Sequence, residues 1–438
     1  MSVISIPTTA CLCLLAVFDP IHGQDPLDSL FRGDTAAVIP VASLYRSGSN
    51  VDSPSTSFGG TLANLNGYGI HRDVAFGNAG LGENQTFSYM RGDFFLDSRL
   101  DKGIKGHVSL SVLHVSDAAQ VPYSGTVAAA SQGAPSAQTL VQMDEFFLDV
   151  SVAQRAYVRA GQQVLKWGQG FFWNPVDLAN VDRKDFVEMD RERQGVYGLR
   201  LTIPYKTLFN YQLFIDANRV SLPAKYSMVN RVEVLLGPLE LAGYLWSQRG
   251  RYPIPGFDFS MPIGSWGWYG EGIYRFEPPE NAVPDDSLLV NGLKPAPEKG
   301  IKILLGTHKH FLRDKLFAGG EAYFNGMGME ASALENARFR DGIKSGTIPY
   351  QAFDLDRWYA AFYLQYGELW EKTISLGLNA VVNFSDASAL VYPSFTFSHV
   401  DNFSLVIKPV IYLGGSPDRE MTFQNRYVDI LADITLRF

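Results

Sequence analysis

The stretch Tyr427-Val-Asp-Ile-Leu-Ala-Asp-Ile-Thr-Leu-Arg-Phe438 decides the fold class. Val428, Ile430, Ala432, Ile434, Leu436 and Phe438 fill its even positions, and all are apolar. Tyr427, Asp429, Asp433, Thr435 and Arg437 stand at odd ones. Successive side chains of a strand point to opposite faces, so one face of this segment suits hydrocarbon and the other suits water. The same alternation runs upstream. Phe403, Leu405, Ile407, Pro409, Ile411 and Leu413 oppose Ser404, Lys408 and Tyr412, and Ile374, Leu376, Leu378, Ala380, Val382 and Phe384 oppose Thr373, Ser375, Asn379 and Asn383. It recurs with Tyr197, Leu199, Leu201 and Ile203, and again with Phe209, Tyr211, Leu213 and Ile215.

A soluble sandwich or propeller also alternates. Strand length separates the two classes: these runs reach roughly eleven to fourteen residues, against about five or six in globular sheets and nine to eleven in membrane strands. They come as hairpins with short turns at one end and long loops at the other. In lipid every backbone polar group must be paired, so such a sheet has to close. The expectation is an all-β, antiparallel transmembrane barrel of 16 to 18 strands, with short periplasmic turns, long extracellular loops and an aqueous lumen. Eighteen is preferred, because it puts segments 117–139, 167–192, 278–299 and 326–352 all at the outer end. The weakest members of that set are the first, 36–47, and 252–261, which contains Pro253 and Pro255. Residues 48–85, rich in Gly, Ser and Asn, read as a loop or a lumen segment.

The chain has 438 residues, 46% hydrophobic and 13% aromatic, with a formal net charge of -8. No stretch after the N-terminal segment approaches the 18 or so apolar residues of a membrane helix. The acidic balance argues against nucleic acid. Residues 1–23 read as a signal peptide, with an apolar run from Ala10 to Phe18, Pro20, and Gly23 before Gln24 as the cleavage site; 24–438 form one barrel domain. Both cysteines, Cys11 and Cys13, fall in that segment, which leaves the mature chain without disulfides or thiol ligands.

The terminal aromatic behind an alternating strand resembles the insertion signal of Gram-negative outer-membrane proteins. It implies Phe438 as that signal, with the barrel-assembly machinery and outer-membrane lipid as partners. Gly161-Gln-Gln-Val-Leu-Lys-Trp-Gly-Gln-Gly-Phe-Phe-Trp-Asn-Pro175 resembles a segment of porin-like barrels, in which a strand leads into a Trp-Gly loop and an Asn-Pro turn. That resemblance implies a barrel and, loosely, a channel.

Within the segment, Gly168 and Gly170 permit backbone turns closed to other residues, and Asn174 with Pro175 offers a helix cap and first turn. One reading is a loop that folds into the mouth and narrows it. The other, given more weight, is an interfacial belt of Trp167, Phe171, Phe172 and Trp173 followed by a solvated loop. Along the early hairpins Arg91, Asp93, Asp97, Arg99, Glu145, Asp149, Arg155 and Arg159 share one parity. Arg or Lys costs about 2–4 kcal/mol at the bilayer midplane, so these eight charges on one face are assigned to the lumen, either selecting solutes or bracing the wall by pairing.

No enzyme site emerges. His107 and His114 flank Ser109 and Ser111 without an identifiable nucleophile and base, and His308 with His310 lack further ligands, so neither a metal nor a cofactor is expected. The function expected is diffusion of small polar solutes. The alternatives are an adhesin without an open pore and a hydrophobic-substrate transporter with 48–85 as its plug. Solute and oligomeric state are not legible.

Overall fold

The computed structural model describes residues 55–71, 85–100, 103–115, 138–153, 155–180, 187, 193–206, 208–218, 227–277, 299–329, 334, 353–370, 373–398, 402–416, 419–423 and 426–438. The expected signal peptide and the expected strand 36–47 lie outside them. Eighteen strands follow one another: β1 Ser55–His71, β2 Gln85–Leu100, β3 Ile104–Val115, β4 Gln138–Val152, β5 Ala156–Gln163 and β6 Val196–Tyr205. Then come β7 Phe209–Asp216, β8 Ser227–Leu236, β9 Leu239–Gln248, β10 Ile254–Ile263, β11 Trp266–Arg275 and β12 Gly300–Phe311. The last are β13 Leu316–Asn325, β14 Trp358–Leu369, β15 Ile374–Asn383, β16 Ser388–Phe397, β17 Phe403–Leu413 and β18 Arg426–Arg437.

Each strand pairs antiparallel with its neighbours in sequence, and β1 also pairs with β18, from Thr61↔Arg437 to Ile70↔Val428. The sheet is a closed barrel, with no free edge to satisfy. The faces sort as the alternation requires. On β18 Ile434 is 42% exposed on the outside while Leu431 is 6% exposed on the inside. β10 is a full member of the wall despite its prolines: Pro255 pairs with Leu245 and Pro262 with Gly267.

One expectation is corrected. Residues 55–71, assigned to the 48–85 loop or plug, form β1 of the wall. The alternation is masked there, because Gly59, Gly60, Gly67 and Gly69 carry no side chain and Asn64 and Asn66 fall at outward parity. The missing surface is supplied across the ladder: Gly67 stands opposite Phe87, whose ring occupies the space a Cβ at Gly67 would take. This part of the proposed plug is therefore wall and cannot fill the lumen.

The β5–β6 connection is the one that positions the site, since its described residues touch the inner wall.

Candidate pore constriction

The connection leaves β5 at Gln163. Its root is tied to the wall: Glu145 accepts from the Val164 amide at 2.7 Å, and Gln162 Nε2 donates to the Met143 carbonyl at 2.9 Å. Asn180 closes the segment on itself, accepting from the Leu165 amide at 3.0 Å and donating to the Leu165 carbonyl at 2.6 Å. Trp167 is buried among Phe214 and Tyr244, and its indole Nε1 donates to Gln212 at 2.8 Å. Leu165, Val176 and Ala179 join it in a cluster with Val229, Ile254 and Ile273. Every one of these partners faces inward, so the loop lies along the inside of the barrel.

Two wall glutamates then clamp its backbone. Glu271 of β11, with no exposed surface, accepts from the amides of Gln169 at 2.5 Å and Gly170 at 2.6 Å, and from Val176 at 3.5 Å. Glu321 of β13 accepts from the amides of Phe171, Phe172 at 3.0 Å and Trp173 at 3.4 Å, and from the Tyr269 hydroxyl at 2.8 Å. Runs of adjacent amides in a turn form an anion-binding concavity, and here the wall provides the anions. The two glycines make the approach feasible. Gly168 has φ +83, with the Glu271 carboxylate where a side chain would stand, and a Cβ on Gly170 would meet the Trp173 carbonyl oxygen at 1.8 Å.

Beyond the clamps the aromatic run packs on tyrosines. Phe171 stacks on Tyr363 at 4.5 Å, and Trp173 stacks on Tyr323 at 5.2 Å while its Nε1 donates to the Phe353 carbonyl at 2.7 Å. The far side is reached too, where Lys408 of β17 donates to the Val187 carbonyl. Trp167, Phe172 and Trp173 are buried, so this run forms no exterior belt; the belt reading fails because the rings find inner tyrosines rather than lipid. The expected helix start is absent as well. Asn174 Oδ1 reaches back to the Gly170 amide at 3.1 Å, and the Asp177 amide donates to the Asn174 carbonyl at 3.1 Å, giving a single turn at Pro175.

The charged residues of the early hairpins are largely brought together. Arg91 Nε meets Asp93 at 2.7 Å, and the Ser111 hydroxyl lies between two acids, 2.6 Å from Asp93 and in contact with Asp144, with one proton to donate to either. Asp97 pairs with His107 at 2.7 Å, whose other nitrogen lies 3.9 Å from Glu145. Arg159 makes a two-pronged contact with Asp149, at 2.6 and 2.7 Å, and its guanidinium covers the Phe147 ring at 3.6 Å. Arg200, paired in register with Arg159, adds a cation beside it. Two residues differ in placement. Arg155 is exposed in the tight turn after β4 rather than in the wall, and Arg99 is exposed at the same end beside Lys105. Asp144 joins the group because a bulge opposite Ser109 and Leu110 places two consecutive acids, Asp144 and Glu145, on one face.

His107 and His114 fall on opposite faces, the latter exposed and bonded to Thr139 at 2.9 Å, and Ser109 Oγ accepts from the Glu145 amide. His308 and His310 both lie against Phe317. Among the described residues no group of three His, Cys, Asp or Glu side chains is arranged so that it could hold a metal ion. Phe438 lies on the outer surface at the β1–β18 seam, near Phe58 and Phe94, and exchanges backbone hydrogen bonds with Gly60 at 3.0 Å in both directions.

No protein-family model matches the sequence, and no curated protein matches it. Solved structures do match. OccAB4 of Acinetobacter baumannii superposes with a TM-score of 0.53 at 10% identity, covering 89% of this chain and 100% of that one. OpdL of Pseudomonas aeruginosa gives 0.53 at 9%, covering 88% and 99%, and a BenF-like porin from Pseudomonas fluorescens Pf-5 gives 0.53 at 10%, covering 88% and 98%. The chain has the fold of an outer-membrane porin. At such identities the likeness is one of fold, and the site is read from this barrel's own residues.

Sequence reasoning singled out the β5–β6 loop but missed what holds it. Glu271 and Glu321 are acids at inward parity beside glycines, Glu271 between Gly270 and Gly272 and Glu321 directly after Gly319 and Gly320. That pattern, an acid inside with room for a backbone to approach, is the signal that was available.

Proposed function

We propose that this protein is a passive channel for small polar solutes across a bacterial outer membrane, with the β5–β6 loop as its constriction. One observation carries the reading: a closed barrel whose inner wall grips an inserted loop by two carboxylates while the remaining inner face, from β2 to β6, is lined with paired charges. An adhesin has no use for a loop clamped inside the barrel, and a plugged transporter of apolar compounds has none for a charged inner wall. The barrel neighbours are porins, and no catalytic arrangement has been identified among the described residues. Arg91, Asp93, Asp97, Glu145, Asp149 and Arg159 are assigned to the pore lining, joined by Asp144 and Arg200. Purified protein inserted in planar bilayers should give discrete conductance steps; stable insertion without conductance would defeat the proposal.

A further inference from the structure

At the long-loop end of the barrel three acidic side chains are buried together. Glu420 lies in the β17–β18 connection, Asp356 just before β14, and Asp386 in the β15–β16 turn. Neutral groups donate to each of them. Glu420 accepts from the Phe353 amide, the Tyr359 hydroxyl and Asn383 Nδ2, each at 2.8 Å. Asn383 Nδ2 also donates to Asp356 at 2.7 Å, and Asp386 accepts from the Glu420 amide at 2.6 Å and from Ser388 Oγ at 2.6 Å. Asp356 Oδ1 is buried without a hydrogen-bond partner. The Asn383 amide thus lies between two buried carboxyl groups, and it is their burial and mutual proximity that favour a proton on one of them over two full charges.

The cluster is mechanically joined to the constriction. Phe353 donates its amide to Glu420 and offers its carbonyl to the Trp173 indole at 2.7 Å. Tyr359 donates to Glu420, and its ring lies 5.8 Å from that of Trp173. The same two residues therefore contact both the buried Glu420 carboxyl and the Trp173 indole.

We propose that Glu420, Asp356 and Asp386 form a proton-operated latch on the lumen loop, closed when the cluster keeps its proton and released when that proton leaves to the external medium. The step is a simple ionisation, a carboxyl O–H giving up its proton to water and leaving a carboxylate. Burial pushes the Glu420 carboxyl up to about 8, with the charge of Asp356 adding to it, and pushes Asp356 up to about 6, with Asp386 adding. The groups that face the cluster are Tyr359 from β14, Asp386 from the β15–β16 turn, and Arg419, whose field opposes the rise at Asp356. Arg357, next in sequence, directs its guanidinium to the Gly328 carbonyl instead. Because the folded cluster holds its proton more tightly than the released one, the latch is firm at acidic pH and weakens as pH rises from about 4.5 towards 8.

The external placement rests on the channel reading, so the test has a readout that does not require conduction. Hydrogen exchange of the full-length protein in detergent, corrected for intrinsic rates, is followed at the Phe353, Glu420 and Trp173 amides between pH 5.5 and 8.5. Their protection should fall with rising pH, by at most about tenfold per pH unit for one proton released. Glu420→Gln, neutral throughout, should hold protection level over the same range, with Asp356→Asn as the second variant if the first does not fold. Flat protection in the wild type, or an equal slope in a folded variant, would overturn the latch. In bilayers the wild-type conductance should change over this range and that of the variant should not. Absence of conductance at every pH would count against the channel alone, leaving the exchange data to decide the latch.

Discussion

Glu321→Gln tests whether the wall carboxylates hold the constriction. Glu321 accepts from three consecutive loop amides and from Tyr269, and each contact involves a donor that only a hydrogen-bond acceptor satisfies. Hydrogen bonds to a charged group are worth about 1.5–3 kcal/mol each, but four sharing one carboxylate do not add. The glutamine keeps the shape and one acceptor oxygen while turning an NH2 donor towards amide donors. A loss of about 2 kcal/mol in docking is expected, which is roughly a thirtyfold rise in the undocked population. The assay is single-channel recording together with hydrogen exchange at Phe171, Phe172 and Trp173. The variant should show larger or flickering conductance and faster exchange at those amides. Unchanged exchange there, in a folded barrel, would refute the assignment of Glu321 as the clamp, whatever the conductance does.

Removal of Phe438 should impair assembly, because it deletes both the outer aromatic contact with Phe58 and Phe94 and the exchanged bonds with Gly60; normal heat-modifiable migration of the truncated chain would count against this. Arg159→Gln should shift permeability towards cations by leaving Asp149 unpaired, read as a change in reversal potential across a salt gradient. Arg155→Gln, in an exposed turn, should leave it unaltered, and unchanged selectivity in the Arg159 variant with a lower melting temperature would leave only a bracing role. Asp356 ionises near 3.8 when unfolded and only at about 6 when folded, so folding takes up a proton and stability declines as pH climbs between those values. Asp356→Asn should flatten that slope and raise the melting temperature above pH 6; a slope equal to wild type would show that another group sets it.

Most of the wall was legible because its period-two signal is written in single residues: Ile430, Ile434 and Leu436 face out whatever lies beside them. β1 escaped because Gly59, Gly60, Gly67, Gly69, Asn64 and Asn66 interrupt the alternation of Phe58, Leu62 and Tyr68, and the space over the inward Gly59 and Gly67 is filled by Phe95 and Phe87 of the next strand. The loop motif stood out in composition, yet its direction did not. Whether Trp173 meets lipid or Tyr323 depends on acids 102 and 150 residues beyond the Gln169 and Phe171 amides they accept from, Glu271 and Glu321, which no local pattern connects. The bulge that turns both Asp144 and Glu145 inward was likewise invisible, since a strict alternation assigns only one of them to that face. Arg155 was misplaced for a simpler reason: the boundary of a hairpin turn is ambiguous by a residue or two.

The pairing of the first wall strand with the last has a kinetic side. Leu62 meets Leu436 across the seam, whereas every strand pair other than β1–β18 joins strands adjacent in the chain. Closing roughly 370 residues of intervening chain costs roughly 3 kcal/mol more in entropy than closing a ten-residue hairpin. Hairpins can therefore accumulate early and cheaply, while the seam waits until β18 has been made and delivered. Until then two unpaired edges face each other across a growing sheet, open to intermolecular strand pairing. Quality control over the nascent barrel thus concentrates in one late step, and slow folding, sensitivity to premature termination and a need for edge-shielding chaperones are the traits to look for in vivo.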